Sequence, residues 1–469
     1  MSNSHSNYQK KYKKSVFIAI ELKVREFVSQ IFLANELIKK NYRVYIGSKD
    51  EIIELINSKK NKSGIFLYKA GLHKDLTIKL KKKIDVHAVL DHEACPGFPN
   101  KMYANELIPG AFHKETEKTI DLYFTANNKI ERIAKKRLKY IKGKVINTGW
   151  PRIDLWQQNY RFIYLKEEKK IKKKYGNFII FISDLGFVDE DYYQQAKISP
   201  WGGSEKLKNK YLIEKPKVAK KVFKEFKIIV EFLKTIAKKN IHQNIVIRAH
   251  PSENIDAWQK IFKKQKNIFF TKPIDDVAPY INASQGVLHR GCTTSLQAMC
   301  SNKPVGFLNL TRSVKSKEIS FKLSYKIKSL IDFNNWIVSL NKRRVFNKNK
   351  EFINELNLKR KLATYNIVKE FDNFKCGTEE YIYFSKKNFL LAKCSHYKNL
   401  IKRIILKLMI FLKLSKRNLN NFGRAPKIYK GIKTSEVKNF ISRFNKSKKQ
   451  NVSFKQISPN IVMIEKNKA

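Results

Sequence analysis

The chain has 469 residues, 42% hydrophobic and 12% aromatic, which excludes a mainly disordered protein and leaves room for two or three cores. Lys and Arg number 97 against 40 Asp and Glu, a formal net charge of +57, so any partner sought by charge is a polyanion: nucleic acid, lipid headgroups or acidic glycans. Five cysteines (Cys95, Cys292, Cys300, Cys376 and Cys394) form no CxxC pair, which speaks against structural zinc and for reduced thiols.

The residues from Met1 to Lys10 lack the apolar core of a secretory signal, and no apolar run is long enough to span a bilayer. A cytoplasmic protein is expected, at most peripheral on the inner face of the cytoplasmic membrane. Residues 1–14 are expected to be a flexible N-terminus.

From residue 15 to 165, apolar strands alternate with amphipathic helices. Strands are predicted at Ser15–Ile20, Tyr42–Gly47, Gly64–Tyr68, Ala88–Asp91, Leu122–Thr125 and Val145–Thr148, with helices at Arg25–Lys39, Asp50–Ser58 and Asn127–Leu138. The pattern restarts at Phe178–Ser183 and makes a second unit over 175–345. A loop carrying Pro200, Trp201, Gly202 and Gly203 precedes a helix from about Lys217 to Lys238. Strands are predicted next at Ile245–Arg248, Ile268–Thr271, Gly286–His289 and Pro304–Leu308, with helices near Asp256–Lys263 and Thr294–Cys300. Such alternation implies an α/β fold of two doubly wound, Rossmann-like domains, whose ligands bind beyond the carboxyl ends of the strands in the cleft between them. Closing helices are expected over 346–395.

Residues 396–469 read as a helical, strongly basic tail with a break at Gly423–Pro426. Within it Leu400, Ile401, Ile404, Ile405, Leu408, Phe411 and Leu412 share one helical face, with Lys402, Arg403, Lys407 and Lys413 opposite. A helix lying on an anionic membrane surface is one reading, and a core-packing helix is the other.

Chemistry concentrates at strand ends. Arg248 offers a planar fork and His250 a directed ring N–H, and Pro251 turns the chain. About forty residues on, Gly291 allows a turn, and Thr293, Thr294 and Ser295 open a helix whose free N–H groups favour an anion. Two such tips in one α/β unit point to a bound nucleotide, with an activated sugar the expected form. Asp91 and Glu93 close the strand before Pro96–Gly97 and are candidate bases for an acceptor hydroxyl, or else helix caps. Glu21 ends the first strand as a third candidate, and Arg25 could face the same cleft. Arg152, in the segment Thr148–Asp154 between the units, could line it or belong to a hinge.

Five motifs in order, Ile20-Glu-x-x-x-Arg-Glu26, Leu90-Asp-x-Glu93, Thr148-Gly-x-Pro-Arg-x-Asp154, Arg248-x-His-Pro-Ser-Glu253 and His289-x-Gly-x-Thr-Thr294, resemble the bacterial "surface carbohydrate biosynthesis protein" family over about residues 15–380. The resemblance implies a GT-B-type architecture, an N-terminal acceptor domain, a C-terminal donor domain, and work on lipopolysaccharide or capsule. The His-Pro pair and the hydroxyl-rich turn are also similar to motifs of sialyltransferases and Kdo transferases that use CMP-activated acidic sugars. By that likeness His250, Pro251, Thr293 and Thr294 would hold the nucleotide phosphate, with Glu253 and His289 counted in the same binding set. Two departures stand out: His92 replaces a further acidic residue, and Cys292 replaces a serine.

The function expected is therefore a glycosyltransferase passing a sugar from a nucleotide donor, CMP-linked such as CMP-Kdo, to a glycan or lipid-linked acceptor. Cationic side chains would neutralise the leaving phosphate, so neither metal nor cofactor is required. Two alternatives share the fold: a sugar-nucleotide epimerase and a transferase of glycerol phosphate from a CDP donor. A nucleic-acid-binding protein is a third reading, disfavoured because the charge is diffuse and no RNA or DNA module is recognisable.

Overall fold

A computed structural model of the chain describes residues 13–467 apart from 70, 73, 109–111, 113, 186–204, 251–252, 254, 272–274, 312–317, 341–347, 359–360, 380–381, 383–385, 413–430 and 447–450. The start of the chain, the Pro200–Gly203 loop, Pro251 and the Gly423–Pro426 break thus lie outside the described residues.

Strands β1 (Lys13–Ile20), β2 (Arg43–Ser48), β3 (Ile65–Tyr68), β4 (Val86–Leu90), β5 (Leu122–Thr125) and β6 (Lys144–Asn147) pair in parallel in the order β2-β1-β3-β4-β5-β6. Both faces are covered, as a parallel sheet requires. Val16, Ile18 and Ile20 point to the face packed by the helix Lys23–Lys39, whereas Phe17, Ala19 and Tyr45 point to the helix Lys49–Asn57. The side-chain period of two in the strand sorts these residues without exception.

A second parallel sheet is built from β7 (Phe178–Ile182), β8 (Asn244–Arg248), β9 (Ile268–Phe270), β10 (Gly286–His289), β11 (Val305–Leu308) and β12 (Tyr325–Ile327), in the order β12-β11-β10-β7-β8-β9. Its outer face packs on the helix Glu205–Lys239 through Phe226, Ile229 and Leu233. That helix begins well before Lys217, running through Pro216, where the sequence pattern suggested a start.

The two α/β units share one apolar cluster, in which Ile180 and Val287 of the second sheet join Ile18 and Leu67 of the first through Trp150 and Trp156. Gly97 sits on this seam with φ +108°, and a Cβ there would come within 3.0 Å of Leu296 and 3.4 Å of Ile319. Only glycine combines that backbone with that closeness. The closing helix Ala363–Asp372 then returns to the first sheet. Phe371 packs on Phe124, and Tyr42 donates its hydroxyl hydrogen to Asp372 at 2.8 Å.

The expectation of a helical tail from 396 is corrected. The helix Lys386–Phe411 is followed, from Gly431 on, by a folded addition to the first sheet. Strand β13 (Thr378–Glu379) pairs with the start of β1, and β14 (Val452–Ser458) and β15 (Ile461–Lys466) form an antiparallel hairpin that extends the sheet beside β2. The helix Thr434–Phe444 lies against Lys23–Lys39 and buries Val437 and Ile441. The lysine excess hides this when the segment is judged on charge, although Ile461-Val-Met-Ile464 is a short apolar strand run.

Glu465 anchors the hairpin, with Arg43 Nε at 3.1 Å and Lys13 Nζ at 3.6 Å, all three side chains almost wholly buried. Removing one charge from such a group leaves the others unpaired in the interior. Glu465→Gln is therefore expected to cost about 3 kcal/mol of unfolding free energy, read from the urea midpoint, although the residue lies in what looked like a solvated tail.

Candidate functional site

In open α/β sheets the strand order reverses at a switch point, and the loops leaving the two strands there diverge to form a crevice. The first sheet switches between β1 and β3, the second between β7 and β10. Glu21 and Arg25 follow β1, Lys69 follows β3, Asp184 follows β7 and Gly291 follows β10. The two carboxyl edges face each other, and Cys95 from the loop after β4 hydrogen-bonds to Thr293 from the turn after β10.

Two guanidinium groups and a neutral imidazole gather at this meeting. Arg25 is exposed and lies close to Arg152, His250 and Glu93. Burial and then the Arg25 charge hold Arg152 below the usual arginine range, and its guanidinium stacks 5.1 Å over the Trp156 ring. His250 keeps an exposed edge but is packed elsewhere; burial, Arg25 and Arg248 push its imidazolium down to about 4, so it is neutral at pH 7. Two guanidinium groups and an imidazole at one edge, with Glu93 near Arg25 and Asp276 near Arg152, make a polar patch that can receive an anion.

Sequence reasoning passed over Lys69, at the end of β3. Its ammonium, 6% exposed, lies 2.5 Å from Glu93, 3.0 Å from Glu21 and 3.9 Å from Glu26. Glu26 in turn accepts the backbone N–H groups of Glu21 and Leu22, both at 3.0 Å, which fixes the first βα turn and aims Arg25. Glu93 stays partly exposed. Burial raises its carboxyl, but Lys69 and then Arg25 more than offset this and hold it below the usual carboxylate range.

Asp91 differs sharply from Glu93. It is buried, one oxygen accepts the N–H groups of Glu93 and Ala94 at 2.9 and 3.1 Å, and the other accepts the Tyr123 hydroxyl. Burial lifts its carboxyl to about 6 in spite of those bonds. It shapes the loop that presents Glu93. His92 is buried between them, edge-on to Trp150 at 5.1 Å. Neither of its ring nitrogens nor Trp150 Nε1 finds a hydrogen-bond partner among the described residues. Burial first, then Arg152, Lys69 and Arg25, keep this imidazole neutral.

The expected phosphate set needs correction. Glu253 is fully buried, accepting from Ser183 Oγ at 2.7 Å and Trp258 Nε1 at 2.9 Å, so it ties the loop to the core. His289 is a core residue bonded to Ser324 Oγ at 2.8 Å, with burial pushing its pKa to about 3. Ser295 is buried and donates to the Cys292 carbonyl at 2.7 Å. Arg248 donates to the Asp275 carbonyl at 2.6 Å, which braces the tip of β8. Cys292 takes over the missing serine's place by accepting the Thr294 N–H at 3.4 Å, and its sulfur lies 3.1 Å from Thr294 Oγ1. Gly291 is required for closeness and not for a left-handed turn, since a Cβ would reach Asp184 Oδ2 at 3.3 Å. Asp154 accepts the Ala363 N–H at 2.7 Å, so the Thr148–Asp154 segment positions Arg152 and caps the closing helix together.

Lys69, ahead of Arg25, offsets the repulsion among Glu21, Glu26 and Glu93 at this turn. Lys69→Met is expected to lower stability by about 3 kcal/mol in chemical denaturation and to raise the Glu93 carboxyl, moving the acid limb of any pH–rate profile upward.

No family model matches the chain, and no curated protein does. Among solved structures it is similar to the UDP-GlcNAc 2-epimerase of Methanocaldococcus jannaschii at 12% identity, covering 77% of this chain and 99% of that one with a TM-score of 0.42. It is also similar to the wall teichoic acid polymerase TagF at 12% identity, covering 77% and 89% with a TM-score of 0.46. Anabaena HepE, solved with UDP and glucose, follows at 10% identity, 77% and 100% coverage, and a TM-score of 0.38. At these values no residue role passes from those proteins to this chain.

Proposed function

We propose that this protein is a glycosyltransferase moving a sugar from a nucleotide donor to a surface-glycan acceptor, in which Arg25, Arg152 and His250 receive the donor phosphate. The observation that carries the reading is their meeting at the facing carboxyl edges of two Rossmann-like sheets, with Glu93, more open than Glu21, beside them. As the glycosidic bond to phosphate breaks, negative charge grows on the leaving oxygen. Guanidinium groups already held at that edge stabilise the charge with little reorganisation. The donor we favour is CMP-linked, on the sequence resemblance alone.

Glu93 is the group assigned to the acceptor hydroxyl. Lys69 keeps it ionised, so it is a weak base that takes the proton late, once bond formation has acidified the hydroxyl. Asp91, with both oxygens engaged, is assigned to holding that loop. His92 and Trp150 hold two donors and one acceptor unpaired among the described residues, since the neutral imidazole has one N–H and one lone pair; both are buried, so meeting a sugar hydroxyl requires the Asp91–Glu93 loop to open.

A thermal-shift comparison of CMP, CDP, UDP and GDP tests the donor, because a ligand of the native state alone raises its melting temperature. A response to CMP is expected; a response to UDP alone would replace the donor, and none to any nucleotide would remove the reading. Glu93→Gln should keep the nucleotide shift and lose roughly 10²–10⁴-fold in transfer rate. His92→Phe should act on acceptor KM more than on the nucleotide shift. Sugar isomerisation without an acceptor would decide for the epimerase instead.

An anion beside His250 favours the imidazolium, so donor binding takes up a proton. With a sugar nucleotide whose phosphates do not titrate in the range, affinity should strengthen by up to about tenfold per unit as pH falls below the His250 pKa in the complex and stays above its free value. Calorimetry across pH should show that slope in the native chain and its loss in His250→Gln.

A further inference from the structure

The helix Lys386–Phe411 leaves the first sheet after β13, touches β14, and carries its apolar residues outward. Leu390, Tyr397, Ile401, Ile405, Leu408 and Leu412 are 51–60% exposed. Their spacings of seven, four, four, three and four place them on one stripe of an α-helix. A stripe of this length in water marks a surface that something covers.

Charge indicates what covers it. Between Tyr381 and Ser435 the sequence holds 14 Lys or Arg and no Asp or Glu. Lys402 is exposed off the stripe, by helical geometry. No helix among the described residues is long and apolar enough to cross a membrane. An apolar stripe of limited depth, backed by cations with no acid among them, is complementary to one kind of surface: apolar below and anionic at its face. A second copy of this helix would bring the same unrelieved positive charge against itself.

We infer that Lys386–Leu412 lies in the plane of an anionic lipid surface and docks the protein there. The helix itself touches β14, at the edge of the N-terminal sheet. At Gly431 the carbonyl accepts from Lys23 Nζ at 2.7 Å, and Lys23 also pairs with Glu436 at 2.7 Å, so the C-terminal addition is tied to the βα turn of Glu21 and Arg25. The lipid-docked segment thus belongs to the N-terminal unit. This inference stands on the helix and is independent of the transferase reading.

Vesicle co-sedimentation of the full chain tests it, with phosphatidylcholine alone and with phosphatidylcholine plus phosphatidylglycerol. The native chain should partition onto the anionic vesicles, and Ile401→Asp/Ile405→Asp/Leu408→Asp should lose at least about tenfold in partitioning with an unchanged melting temperature. Equal binding of the triple variant would overturn the inference, since general positive charge would then suffice. A fall in melting temperature, or a dimer dissociating on substitution in light scattering, would also overturn it, because the stripe would then be covered by protein.

Discussion

The site depends on one unfavourable interaction, the repulsion between Arg25 and Arg152 across the seam. Glu93 lies near the first and Asp276 near the second, which offsets part of it, and burial holds the second below its usual proton affinity. Such a pair persists only where the surrounding structure over-determines it. Each member is fixed by bonds that do not touch its charge. Glu26 locks the turn that carries Arg25 by taking two backbone N–H groups, and Asp154 caps a helix from 209 residues further along while its own short helix sets Arg152 on Trp156. Arg248 plays the corresponding part for His250, bracing the β8 tip through a carbonyl. Stored repulsion is what an incoming anion relieves, so the same arrangement that costs stability favours binding.

The seam itself joins two kinds of surface. Apolar contact runs without a break from the first sheet through Trp150 and Trp156 into the second, while the polar groups collect at the carboxyl edges. Gly97 lets the loop after β4 press against Leu296 and Ile319, and Cys95 two residues earlier meets Thr293. Glu355 binds that loop again, accepting the Gly97 N–H at 2.8 Å and pairing with Lys129. The relative placement of Glu93 and the Gly291 turn therefore rests on close packing and buried bonds, which limits how far the two edges can separate without breaking the core.

Much of this was legible because parallel strands buried on both faces announce themselves as apolar runs, and of the parallel strands only the short β12, Tyr325–Ile327, escaped. The switch-point residues were legible for the same reason: Glu21, Arg25, Glu93 and His250 are polar groups immediately beyond apolar strands. What sequence could not tell was which polar group turns inward to hold the loop. Asp91 and Glu93 are two residues apart with one chemistry, yet Asp91 is spent on two N–H groups and a tyrosine. Glu253 and His289 sit inside motifs but serve the core, because motif spacing says nothing about side-chain direction. Lys69 was invisible among so many lysines. Its signal was position, directly after β3 at the switch point, and not its type.

The charge of the chain separates by environment into three parts that composition alone merges. Most lysines are solvated or paired along helices, as Lys135 with Glu131 or Lys39 with Glu36, and exposed pairs of this kind contribute at most about 1 kcal/mol. A second part is structural: Arg43, Lys13 and Lys69 are buried against carboxylates, where removal of either sign is costly. The third part, Arg25 and Arg152, lies at the facing strand ends beside the neutral His250, with Glu93 near the first and Asp276 near the second. Its demand for an anion comes from that position and not from number. A net charge of +57 therefore says little about what the protein binds, whereas two guanidinium groups set at the switch-point edges say more.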